Sequence, residues 1–133
     1  MKYLLDTDTI IYWLKVNQAI EKKAIALGLE SLSYSIISHP ELYFGAYNSQ
    51  QQDKNLQAVQ IVQQKLSLVS FNDKSAQLFG MNKAQLKQSG NLILDTDIMI
   101  ASIAITNNLV LVTNNTKHFQ RISNLLLENW LNN

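Results

Sequence analysis

Short apolar runs alternating with stretches of helical spacing constrain this chain more than any other feature of its sequence. Tyr3-Leu4-Leu5, Tyr34-Ser35-Ile36-Ile37, Leu68-Val69-Ser70-Phe71 and Leu109-Val110-Leu111-Val112 each read as a strand, and Leu125-Leu126-Leu127 as a last one. Between them a helix is expected through Ile10 to Leu14, and another starts at Ser38. Leu56, Val59, Val62 and Leu66 recur at helical spacing, and Ala76, Phe79 and Leu86 share a helical face that Gly90 ends. Ile98 through Ile105 is apolar on nearly every side, broken only by Ser102, which asks for burial all round. A run apolar at every position, such as 109–112, suits a strand covered on both faces. The alternation therefore predicts βαβ units and an α/β domain of three layers, a central parallel sheet flanked by helices.

Length and charge narrow the class. A chain of 133 residues suits a single domain spanning 1–133. Its 11 basic and 10 acidic residues leave a net charge of +1, which removes a strongly basic nucleic-acid binder but not a local basic patch. The absence of cysteine excludes disulfides, thiol nucleophiles and cysteine–zinc sites. No apolar run approaches the ~18 residues of a membrane span. The opening Met1-Lys2-Tyr3-Leu4-Leu5-Asp6 meets an acid too early for a secretory signal, so a cytoplasmic protein away from membranes is expected.

The acids carry the chemistry. Four of the six aspartates fall in two triplets, Asp6-Thr7-Asp8 and Asp95-Thr96-Asp97, each beside an apolar segment. Asp6 ends the first strand, at the edge where open α/β sheets bind ligands. A carboxylate there is costly to desolvate without a partner, which favours function over decoration. Asp8 and Asp95 each stand where a short acid caps a helix. Asp97 falls in the first turn of the apolar helix, where the helix dipole already favours it. Ser38-His39-Pro40-Glu41 matches a capping box, yet Glu41 also follows a strand end and lies near the edge that carries Asp6. Two carboxylates ~4 Å apart repel by about 4 kcal/mol at an effective dielectric near 20. Shared protons or a divalent cation must offset that, and oxygen-only ligands suit magnesium or manganese.

Leu4-Leu5-Asp6-Thr7-Asp8-Thr9-Ile10 alone fits the opening motif of haloacid-dehalogenase-type phosphatases, with Asp6 as nucleophile. The rest of the chain resembles another family, the VapC toxins, which are PIN-domain ribonucleases. The likeness runs through Tyr3-Leu4-Leu5-Asp6-Thr7, the segment Ser38 to Ala46, and Asp97-Ile98-Met99-Ile100-Ala101. It continues through the segment Leu111 to Phe119 and closes at Leu127-Glu128-Asn129-Trp130. The resemblance implies a PIN-like domain with an acidic pocket at the carboxyl edge of its sheet. Asp6, Glu41 and Asp97 would be the catalytic and metal-holding acids, serving Mg2+ (or Mn2+) in the hydrolysis of RNA, commonly transfer RNA. It also implies a VapB-type antitoxin and a homodimer. Where many relatives carry a fourth acid two residues after the threonine matched by Thr113, this chain has Asn115. Asp8, Asp95, Thr113 and Asn115 are expected around the acids, and Lys117 and Arg121 against RNA phosphates. His118 reads equally as a surface residue. Tyr12, Trp13, Tyr43, Phe44 and Tyr47 read as core or interface. Two other classes are weighed: the phosphatase, and a non-catalytic protein of the same fold that binds no cation.

Overall fold

A computed structural model describes residues 2–15 and 17–131, so the reading of Met1 at the amino terminus lies outside the described residues. Five parallel strands form one sheet: β1 (Tyr3–Leu5), β2 (Leu32–Ser35), β3 (Ser67–Val69), β4 (Val110–Val112) and β5 (Leu127–Glu128). Their order is β3-β2-β1-β4-β5, which puts β1 at the centre. The chain builds outward from β1 in one direction and then returns to build on its other side. That reversal makes the gap between the carboxyl ends of β1 and β4 a switch point, where such sheets open a crevice.

Alternation along the strands sorts the core into two faces. Tyr3 and Leu5 point to one side, with Leu32, Tyr34 and Val112. Helices α1 (Thr7–Leu14), α2 (Gln18–Leu27), α3 (Ser38–Tyr47) and α4 (Gln52–Lys65) cover that side through Ile10, Ile20, Ala24, Leu42, Val59 and Val62. Leu4 and Leu111 point to the other, under α5 (Asp73–Gln88), α6 (Asp95–Thr106) and the short α7 (Thr116–Phe119). The expected three-layer PIN-like α/β arrangement is the one found. No helix among the described residues is long and apolar enough to cross a membrane.

Helix α6 is buried from Ile98 through Ala104 except at Met99, as its all-round apolar sequence requires. Its one polar core residue, Ser102, donates to the Ile98 carbonyl at 2.7 Å and leaves no unpaired hydroxyl. Helix α5 ends as expected at Gly90, whose φ of 73° lets Gly90 N–H reach Lys87 O and Asn91 N–H reach Leu86 O. Its buried face, however, is Ser75, Asn82 and Leu86; Ala76 turns to solvent.

Other local expectations are corrected. The second strand runs over 32–35 rather than 34–37, because Ser33 is accepted into the core by donating to Tyr3 O at 2.7 Å. Ile36 and Ile37 then form the turn into α3. Helix α2, held by Ile20 and Ala24 one turn apart, lies in a stretch to which the sequence reading assigned no element. The capping box at Ser38 does not form: the hydroxyl of Ser35 accepts the Ser38 N–H at 3.0 Å, and Glu41 turns elsewhere.

Candidate active site

Asp6 closes β1 and begins α1. Its backbone N–H continues the sheet to Val112 O, and its side chain caps the helix by accepting from Thr7 N–H at 2.9 Å. The cap of α1 is therefore Asp6 and not Asp8, which lies inside the first turn. The second Asp6 oxygen accepts from the buried Thr113 hydroxyl at 2.8 Å, across the β1–β4 gap. Only 6% of Asp6 remains exposed. Burial, and then the charge of Asp8, push its carboxyl up to about 7, with Asp97 adding a lesser push. Thr113 and Thr7 hold it back only in part.

Three other acids reach this point from different elements. Asp8 turns toward the loop after β4, accepting from Asn114 N–H at 3.5 Å and from the Thr9 hydroxyl at 3.3 Å. Burial raises its carboxyl above the usual range. Asp97, in the first turn of α6, is raised by burial and then by Glu41, with Asp8 also raising it and His118 opposing. Glu41, in the first turn of α3, accepts from the Thr7 hydroxyl at 2.7 Å. The structure thus brings Asp6, Asp8, Glu41 and Asp97 within electrostatic reach of one another.

A line of hydroxyls supports Glu41. Thr7 Oγ1 lies 2.8 Å from Ser38 Oγ, which lies 3.3 Å from Ser35 Oγ. A carboxylate can only accept, so the Thr7 proton goes to Glu41 and the Ser38 proton to Thr7. Thr7, Ser38 and Ser35 are the site residues that the sequence reading missed. The signal for Thr7 was its place between two acids at a strand end; Ser38 was read as a helix cap.

The other expected residues divide. Thr113 is fully buried and accepts Asn115 N–H at 3.0 Å, which ties the loop after β4 to Asp6. The Asn115 amide lies 2.8 Å from His118 Nδ1 and so orients the imidazole whose charge acts on Asp97. Asp95 does not join the cluster or cap α6, whose cap is Leu94; it pairs with Lys83 at 3.0 Å, both half exposed. Lys117 is exposed, and Arg121 donates to Asn91 O at 3.4 Å.

Among the described residues no three acids or histidines already stand as a closed metal-binding group. The donor set still fits a hard divalent cation: carboxylate oxygens without a thiol, Asp6 buried and Asp97 and Glu41 half-buried, raising one another's charge cost, so that a positive charge is what they lack. Asp6, Asp97 and Glu41 are the side chains that could hold one.

Comparison with known proteins points to one family. Residues 3–125 match the PIN domain. Ribonuclease VapC2 of Haemophilus influenzae is 34% identical over 131 residues, 98% of this chain and 99% of that one. The tRNA(fMet)-specific endonuclease VapC of Shigella flexneri is 29% identical over 130 residues, 98% of each chain. Among solved structures, VapBC2 from Rickettsia felis bound to a DNA fragment of its promoter superposes with a TM-score of 0.90 at 34% identity, covering 98% of this chain and 99% of that one. With its acids gathered at the β1–β4 switch point and the family match spanning nearly its whole length, the chain belongs to the PIN-domain family, among the VapC ribonucleases.

Proposed function

We propose that this protein is a metal-dependent endoribonuclease toxin that hydrolyses phosphodiester bonds of RNA, with transfer RNA as its substrate class. The observation that carries the reading is Asp6, buried against Thr113 at the switch point with Asp8, Glu41 and Asp97 gathered around it. Asp6 and Asp97 would hold the cation, magnesium before manganese, because hard oxygen donors suit both. When bound, the cation supplies an acidified water and offsets charge on the phosphoryl group. Glu41, aimed by Thr7, orients the attacking water and accepts its proton. Thr113 and Thr7 N–H keep Asp6 pointed into the crevice. Water adds to phosphorus as the bond to the leaving ribose oxygen breaks; that oxygen gains a proton from solvent water, and Glu41 returns the proton it took to solvent.

A phosphatase using Asp6 as nucleophile fits less well, since the likeness to the PIN domain runs over residues 3–125 and not only over the first acid motif. A VapB-type antitoxin is the proposed restraint. A groove of about 340 Å³ between α1, α3 and α4, lined by Ile11, Leu14, Leu42, Ala46 and Val59, suits an apolar segment of such a partner. The toxin is proposed to act as a homodimer, which light scattering would check. Sequencing the RNA fragments produced on expression tests the activity. Discrete new ends are expected from the wild type and almost none from Asp6→Asn; equal cleavage by both would overturn the assignment.

A further inference from the structure

Away from the acids, α5 and the segment after α7 enclose a cavity of about 220 Å³ lined by Asn82, Gln85, Arg121 and Ser123, among others. Asn82 is only 5% exposed, and its amide nitrogen is buried with no hydrogen-bond partner among the described residues. Buried amides are almost always paired, so one left open in a polar recess calls for an explanation. Ser89 is engaged elsewhere: its oxygen accepts from the Asn91 amide at 3.2 Å and its hydroxyl donates to Leu86 O. The groups still open among the described residues are Asn82, Gln85 and Ser123, with Arg121, itself exposed, the cation of the set; no carboxylate lines the cavity.

Arg121 is placed rather than loose. The Gly90 turn that ends α5 presents Asn91 O, and Arg121 Nη1 donates to it at 3.4 Å. Arg121 also follows His118 by three residues, its N–H directed to His118 O, and His118 is near enough for its charge to act on Asp97. The cavity therefore lies one turn of chain beyond the acid cluster.

We propose that this recess is a phosphate subsite, which grips a backbone phosphate of the RNA strand at a distance from the bond being cut. A donor-rich, acid-free recess with one guanidinium is matched to phosphate oxygens, which only accept. The inference rests on the ribonuclease reading for its ligand, and the test separates the two. Asn82→Leu removes the amide at nearly constant volume, and Arg121→Gln removes the charge while keeping length.

In RNA cleavage assays both variants should lose affinity. KM for the RNA rises roughly tenfold for Arg121→Gln and severalfold for Asn82→Leu, as expected for hydrogen bonds to a charged group. The loss falls on KM rather than kcat, and the salt dependence of binding for Arg121→Gln becomes shallower by about one unit of slope. Asn82→Leu should unfold at no lower temperature than the wild type. A wild-type KM in Asn82→Leu overturns the proposal, because the amide is then a packing defect or a water site. If the wild type cleaves no RNA, it is the ribonuclease reading that fails. Titration of the cation-free protein with inorganic phosphate then decides this inference: shifts of the Asn82 and Arg121 side-chain NMR signals, lost in Arg121→Gln, support it, and their absence ends it.

Discussion

Asp6 is held in a state that its surroundings oppose. Its carboxyl is raised to about 7, so the folded protein binds this proton more tightly than the unfolded chain, whose aspartate titrates near 3.8. The stability that the proton contributes is fully present below about pH 4 and is lost as pH rises through about 7. Metal-free protein should therefore melt at a lower temperature at pH 8 than at pH 5. Asn at position 6 should flatten that slope and raise the melting temperature at pH 8 by roughly 5 °C. Calorimetry in EDTA checks it, and identical slopes for the two proteins would contradict it. Thr7 is the other decisive residue. Valine there keeps the shape but deprives Glu41 of its donor and strands the Ser38 proton. Cleavage should fall between roughly tenfold and a hundredfold, the cost of a catalytic group set loose by about 1 Å. Thr7→Ser should restore it, and circular dichroism should show the same fold in all three proteins.

Among the elements, the hairpin of α5 and α6 depends on how α5 ends. Gly90 adopts φ 73° with nothing near the place where a Cβ would sit, so the cost of a side chain there is conformational alone. Gly90→Ala should destabilise the protein by about 1 kcal/mol, read from the urea midpoint at unchanged slope. The same turn presents Asn91 to Arg121, so its loss also loosens the rim of the recess. Glycine at the end of a helical spacing was legible as a helix stop. The buried face of α5 was legible at Leu86 and Phe79 but not at Ser75 and Asn82, polar residues admitted to the core by packing that no spacing rule selects.

At the scale of the whole molecule, four acids from three elements crowd one edge of a nearly neutral protein. A cation binding there stabilises only the folded chain, so millimolar magnesium should raise the melting temperature by roughly 3–6 °C for each kcal/mol of binding. Asp97→Asn should remove most of that increment; a wild-type response in this variant would show that the cation sits elsewhere. The three-layer plan behind this arrangement was legible, since the short apolar runs at Tyr3, Leu68 and Leu109 alternate with helical stretches, although the run at Leu68 forms an edge strand in which only Val69 is buried. Boundaries were less so: Ser33 and Ser35 are fully buried despite their hydroxyls, which shifted β2 two residues earlier than its apolar residues suggest.

Sequence by itself determined the periods of strand and helix, the burial of α6 and the arrival of an acid at the end of the first strand. These are local properties, set by side-chain spacing and the cost of desolvating a charge. Tertiary structure alone decided which polar groups meet. Asp6 and Thr113 are 107 residues apart, and they touch because β4 returns to the free side of β1. The same packing took Glu41 from its capping box to Thr7 and drew Asp95 away to Lys83. Strand order follows from the burial of both sheet faces together, a property of the whole chain that no single segment encodes.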